Sequence, residues 1–232
     1  MATNAVCSSF KQELLMAGHC FLATLSSLAG AGVNAAFTIT GLATTAGVAV
    51  GMAAGGTNVA AGAIVASVDS ATQVTVSKAH TGTVTSGTIS FTGDVFKGAL
   101  VKASPTRTFD GTQTNIGTPG TGASSATNLG TDETSGTGYT SGGTALTNVS
   151  PTLSSATALT DFSPDPSWTT ATFSATAMII YNNTARLGAG ATPLNGRTTE
   201  VLDFGGTQTV SAGTFTVVFP TADASNAVLR IA

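Results

Sequence analysis

At 232 residues the chain can hold one large β-unit or two small domains, each with a core of useful size. Only 8% of it is charged, against about 25% in an average soluble domain, while 42% is hydrophobic, in short runs broken by Gly, Thr and Ser. The net charge is −3, and the eight Lys and Arg (Lys11, Lys78, Lys97, Lys102, Arg107, Arg186, Arg197, Arg230) form no stripe, which removes the electrostatic case for direct nucleic-acid binding.

The first expected element is a helix over residues 8–18, SSFKQELLMAG. Ser8 or Ser9 is available to cap it, and Gly18 ends it. Phe10, Leu14 and Leu15 are expected to form one apolar face, a candidate anchor. A helix of about three turns is too short to stand alone, so that face must dock on something. Cys7 and Cys20 flank the helix. A helix between them would hold their Cα atoms beyond the ~7 Å limit for bridging, which favours two thiols over a disulfide. The stretch from Leu14 to Phe37 carries no Asp, Glu, Lys or Arg, yet Glu13 precedes it and His19, Thr24, Ser26, Ser27 and Asn34 dilute it. A soluble, unprocessed chain is therefore expected rather than a signal peptide or membrane span. The run Phe21–Leu25 reads as the first strand, and as the surface against which the helix would pack.

From residue 36 to about 95 the chain reads as a self-contained β-module of four to five short strands rich in Val, Ile and Thr. Alternation is clearest in VASVDS, QVTVS and GTISF, with a hairpin turn at Asp69–Thr72. FKGALV (96–101) is a further strand. Residues 103–145 are rich in Gly, Thr and Ser with few large apolar side chains, and are expected to form a long ordered loop or an extended arm. Strands resume at ALTNVSPTLS, ATALTDF, WTTATFSATAMIIYN, EVLDFGG, GTFTVVFP and NAVLRIA, at intervals typical of sandwiches and jelly rolls. The expected fold is thus all-β. An antiparallel, sandwich- or jelly-roll-like main domain (1–35 and 96–232) carries one short N-terminal α-helix and an inserted small β-domain (36–95).

Motifs for chemistry are sparse. His19 and His80 are isolated, and His19 with Cys7 and Cys20 offers no regular metal spacing. No metal or cofactor site is expected. The Gly-rich stretches lack a phosphate-loop lysine, the third Gly of a dinucleotide fingerprint and a nucleophile elbow. Asp161 and Asp165 beside Trp168 could form an acid–base pair on a sugar. The ordinary reading is a Pro-rich turn whose carboxylates cap backbone amides, with Trp168 starting a core strand. No enzymatic activity is expected.

Six segments carry a resemblance: NAVCSSFKQELL (4–15), FKGALV (96–101), SGTGYTSGGTALTNVSP (135–151), WTTATFSATAMIIYN (168–182), VLDFGG (201–206) and FPTADASNAVLRI (219–231). Together they resemble a family of small structural proteins encoded in the virion gene cluster of tailed bacteriophages and prophages. Residues 36–95 interrupt that pattern and are similar to a short β-module of phage capsid, fibre and tail proteins. The resemblance implies a place in the virion after assembly in the bacterial cytoplasm, with the major capsid protein or other virion proteins as partners, and no membrane or direct nucleic-acid contact. A capsid decoration (cement) protein is the leading expectation, and a head- or tail-fibre component touching the host surface the alternative. A polysaccharide-degrading tail enzyme using Asp161 and Asp165 is a distant third. A homo-oligomer is expected, with a trimer favoured by the capsid's threefold sites. Trp168, Tyr139 and Tyr181 are the aromatic candidates for contact.

Overall fold

A computed structural model describes residues 1–16, 18–185 and 193–231; Arg186, one of the scattered cations, lies outside them. Among the described residues the chain is all-β, with every pair of named strands antiparallel and one α-helix. It divides into two compact units: Met1–His19, Val95–Thr147 and Thr152–Ala232 form the main one, and Cys20–Asp94 with Asn148–Pro151 the second.

In chain order the elements are β1 (Ala5–Val6), α1 (Ser8–Leu15), β2 (Leu25–Leu28), β3 (Thr38–Ile39), β4 (Ala53–Gly55), β5 (Ala63–Ser70), β6 (Gln73–Val76), β7 (Ile89–Thr92), β8 (Phe96–Lys102), β9 (Thr144–Leu146), β10 (Thr152–Ser154), β11 (Thr157–Thr160), β12 (Ser167–Asn182), β13 (Arg197–Thr216) and β14 (Leu229–Ile231).

The main unit contains a five-stranded sheet in the order β1-β13-β12-β8-β9 and a three-stranded sheet, β10-β11-β14. β8 lies between two neighbours and reads FKGALVK; five of its seven residues are buried, the near-continuous apolar run of a strand covered on both faces. The second half of β12 behaves likewise, burying Ala175, Ala177, Met178, Ile179, Ile180 and Tyr181. Phe162, just after β11, sits 5.6 Å from Phe96 of β8 and 6.1 Å from Phe219, which packs the small sheet's end against the large one in the expected sandwich-like manner.

The second unit is a six-stranded sheet, β2-β7-β4-β5-β6-β3. Its core is Ile39, Leu42, Met52, Val65, Val74, Val76, Ile89 and Phe91 with smaller neighbours. β5 and β6 join through the two residues Ala71 and Thr72, while Asp69 accepts hydrogen bonds from Ser67, Gln73 and Thr75. This unit starts at Cys20, ahead of the expected boundary at residue 36, because the first strand is β2 and its partner is β7. The run Phe21–Thr24 before it is not a strand. The two ends of the insertion clasp each other: the Asp94 amide donates to the Cys20 carbonyl at 2.7 Å, and the Cys20 amide to Asp94 Oδ2 at 2.9 Å.

That clasp defines a deletion. Removing 20–94 and joining His19 to Val95 through a short Gly-Ser linker should leave the main unit folded, since its core residues Phe10, Phe96, Leu100, Met178 and Ile180 all lie outside the cut. Trp168, the chain's one tryptophan, lies in that unit and reports on it. A product without cooperative unfolding by Trp168 fluorescence would refute the boundary. Cutting at residues 36 and 95 instead strands β2 without β7.

Candidate functional site

α1 opens at Cys7, whose side chain makes no capping bond, so neither Ser8 nor Ser9 is the cap; both lie inside the helix. The helix packs on β13. Phe10 is fully buried, Leu14 is half-buried and Leu15 is 91% exposed, which corrects the expected three-residue face. At about 100° per residue Leu15 stands ~140° round from Phe10, whereas Glu13 and Leu14 flank Phe10 on its own side. The buried neighbour is therefore Glu13. Its carboxylate accepts the Arg197 Nε–H at 2.6 Å and a second guanidinium N–H through Oε1, and pairs with His19 Nε2 at 2.7 Å through Oε2. His19 Nδ1 meets the Asn182 amide at 3.0 Å, and its ring lies 4.9 Å from Phe10. This chain of buried polar groups anchors the helix within the main unit. Leu15→Ser should accordingly leave the urea midpoint unchanged within error, the usual result for a surface change. A clear loss of stability would show that Leu15 is covered.

Cys7 is a buried thiol pushed up to about 11 by burial, despite a hydrogen bond with Thr198. His80 is buried in the second unit, its Nε2 3.0 Å from the Thr38 carbonyl oxygen. No three His, Cys, Asp or Glu among the described residues could together hold a metal ion, and no helix of those residues is long and apolar enough to cross a membrane.

The stretch 103–145 is an ordered loop, not an extended arm. Phe109, Ile116 and Leu129 supply a small apolar core, and carboxylates do the rest. Asp132 is fully buried, paired with Lys102 at 2.9 Å and accepting the Thr106 amide and hydroxyl at 2.8 Å each. Burial pushes its pKa up, but these bonds outweigh burial and hold it below the usual value. Arg107 lies 4.8 Å over the Phe109 ring and donates to the Ser125 carbonyl at 2.7 Å.

Glu133 is the second node. Its Oε1 accepts the Tyr139 hydroxyl at 2.8 Å and the Gly142 amide at 2.6 Å, and its Oε2 accepts the Ser141 hydroxyl at 2.5 Å. Tyr139 also accepts the Leu100 amide of β8 at 3.0 Å, and Tyr181 donates to the Gly142 carbonyl at 2.7 Å. Burial first, and then Glu133, raises both phenols, Tyr181 to about 12. Gly143 closes the turn at φ +72°, and a Cβ there would stand 1.9 Å from the Gly98 carbonyl oxygen, so no other residue fits.

The three aromatic candidates therefore converge. Tyr139 lies 6.2 Å from Trp168, which packs with Phe173 and Phe215, and Tyr181 joins through the Glu133 turn. They are turned inward: Trp168 and Tyr181 are buried and Tyr139 is half-buried. Asp165 accepts the Phe219 amide at 3.0 Å and Asp161 the Phe162 amide at 2.7 Å, the backbone-capping arrangement of the ordinary reading. Asp161 is raised by burial first, and then by Asp165, while the Glu200 carboxyl is pushed up to about 8 by burial and then by the Asp161 charge.

The most open feature is the outer edge of β13, which no sequence motif marked. β1 pairs with it only at Glu200 and Val201, and Asn4 Oδ1 takes the Asp203 amide at 2.6 Å. From Phe204 to Thr216 no backbone hydrogen bond from the described residues reaches that edge. Beside it runs an open groove lined by Phe204, Val210, Phe215, Val217 and Val218, with threonines at its rim. A signal was present: no Asp, Glu, Lys or Arg occurs from Phe204 to Pro220. No protein-family model, no curated protein and no solved structure matches this chain.

Proposed function

We propose that this chain is a structural protein of a tailed-phage virion, a decoration (cement) protein that binds the outside of the head in many copies. The observation that carries the reading is where its few charges go. Glu13, Asp132 and Glu133 are buried in internal bonds, Lys102 and Arg197 serve the first two of them, and Arg107 is bonded to the Ser125 carbonyl. What remains outward on β12, and on β13 beyond Asp203, is an uncharged surface of Thr, Ser, Gly, Gln and Val. Interface cores are depleted in Lys, Glu and Asp, and a β-surface of this kind loses little on being dehydrated against a neighbour. Many such contacts, each burying about 1,000 Å² or more, would hold adjacent capsid subunits together against the outward pressure of packaged DNA.

The six segments that resemble the phage family suggest the setting, with the major capsid protein as partner and the virion as location. The chain needs no cofactor in this role and carries out no catalysis. The alternative, a fibre component at the host surface, would draw on outward-facing aromatics; Trp168 and Tyr181 face inward. Quantitative gels of purified virions separate the two. Hundreds of copies per particle, lost together with head stability when the gene is deleted, are expected; a few dozen copies at the tail would transfer the assignment to a fibre, and absence from the particle would overturn both.

A further inference from the structure

We propose that the open edge of β13 pairs antiparallel with the same edge of a second copy of this chain, about a two-fold axis at Thr209, joining two five-stranded sheets into one. The inner edge of β13 is paired with β12 from Asn182–Arg197 to Ser167–Thr216, and its outer edge is covered only as far as Asp203. Beyond it, Gly205, Gly206, Thr207, Gln208, Thr209, Ser211, Ala212, Thr214 and Thr216 are exposed. An unpaired row of amides and carbonyls is a template for another strand, and native proteins blunt such rows with bulges, which here lie only at the two ends of the segment, or with Lys, Pro or inward charge. No Lys, Arg, Asp, Glu or Pro occurs between Phe204 and Phe219. The irregularities that are present, Gly205 and Gly206 at φ +72° and +156° and Ala212 at φ +49°, bracket the segment Thr207–Ser211, and Thr209 is its centre.

Charge selects the occupant. A partner strand bearing Lys or Glu gains nothing from an edge without a counter-charge, whereas two copies of this edge meet with no charge on either side. The nearest carboxylate, Asp203, lies outside the paired stretch, its amide already taken by Asn4. Thr209 meets Thr209, a hydroxyl pair that suits adjacent strands, and Gln208 meets Val210 with no charge between them. An isologous pair of this kind closes on itself and covers both edges at once, so a two-fold arrangement replaces the threefold one expected from capsid geometry. The eleven residues 204–214, symmetric about Thr209, span at most ~36 Å at ~3.3 Å each; with a sheet ~10 Å thick, at most about 730 Å² is covered in total. That falls short of the ~1,000 Å² of a stable interface, so the pair is reversible in solution and strengthened wherever copies are held close together. The inference stands on purified protein, whether or not the virion reading holds.

A cysteine on the axis tests it. Directly opposed residues of an antiparallel pair have Cα atoms about 4.5–5.5 Å apart, within disulfide reach. Thr209→Cys should therefore give a disulfide-linked dimer under mild oxidation. Val218→Cys is 74% exposed but lies nine residues from the axis, ~60 Å from its symmetry mate, and should stay monomeric on the same gel. The unaltered chain, with Cys7 and Cys20, is the control. In sedimentation velocity the unaltered chain should show a concentration-dependent dimer that Thr209→Lys weakens by about tenfold or more, with Trp168 fluorescence unchanged to show that the fold is retained. Equal crosslinking at 209 and 218, no crosslinking at 209, or a dimer indifferent to Thr209→Lys would each overturn the pairing.

Discussion

Glu200→Gln should make the main unit more stable at pH 8 by about 2–4 kcal/mol, while leaving it nearly unchanged at pH 5. Glu200 sits on β13 with its pKa pushed from 4.5 to about 8, by burial first and then by Asp161, and its charge also raises the Cys7 thiol. Between those two values the folded chain holds a proton that the unfolded chain has released. Stability from this group is therefore complete below about pH 4.5 and is lost as pH rises through 8. Asp161, raised in the same sense, adds to the slope. Glutamine mimics the protonated acid and cannot ionise, so it removes the loss. The acids Asp110, Asp132 and Asp223 are shifted down by hydrogen bonds that outweigh burial and act oppositely, costing stability as pH falls below the usual carboxylate range. The unaltered main unit should therefore be most stable near pH 5. Urea titrations followed by Trp168 fluorescence at pH 5, 6.5 and 8 measure this, because that one tryptophan separates the main unit from the second and avoids a two-domain average. A stability that rises from pH 5 to 8, or a Glu200→Gln midpoint that matches the unaltered chain at pH 8, would contradict the assignment.

How far the sequence could be read depended on whether a signal was local. β12 was legible from end to end because WTTATFSATAMIIYN changes from alternation to a continuous apolar run where a second neighbour, β8, joins it. β13 was not. Gly205 and Gly206 look like a turn between EVLDFGG and GTFTVVFP, yet in the fold they form an irregularity within one twenty-residue strand. β2, LSSL, was missed because the stronger apolar run lies just before it. The loop 103–145 is poor in apolar residues, which suits an ordered loop and an extended arm alike; buried Asp132 and Glu133 organise it through hydrogen bonds to groups on other elements, which no periodicity reveals. The helix face failed on angle: Leu15 is apolar but points outward, and Glu13 is charged but points inward to Arg197, 184 positions away. The open edge of β13 shows in its own residues only as a charge-free run, since exposure there depends on which neighbour the topology withholds.

Glu133→Ala should destabilise the main unit by about 3–5 kcal/mol, one of the largest losses available outside the apolar core. The carboxylate takes three donors, from Tyr139, Ser141 and Gly142. Charge-assisted bonds of this kind contribute about 1.5–3 kcal/mol each, and removing the acceptor leaves the buried donors unsatisfied. Ser141 is exposed and can turn to water, so its share is the smallest. The Gly142 amide and the Tyr139 hydroxyl are enclosed by the same turn that Gly143 forces, and have no such escape. The damage should also spread: Tyr139 supports the Leu100 amide of β8 and packs on Trp168 and Phe173, so the loop, the central strand and the aromatic cluster loosen together. Glu133→Gln keeps one carbonyl oxygen for Tyr139 and Gly142 but aims an amide at Ser141, and should cost about half as much. The ordering is the test. Urea midpoints read by Trp168 should fall as Ala below Gln below the unaltered chain, with the Trp168 emission of the folded Ala variant shifted toward that of a solvated indole. If Ala and Gln are equal, the charge and not the hydrogen-bond geometry holds the loop; if neither moves the midpoint, the turn is held by Gly143 and Tyr181 alone and Glu133 is a bystander.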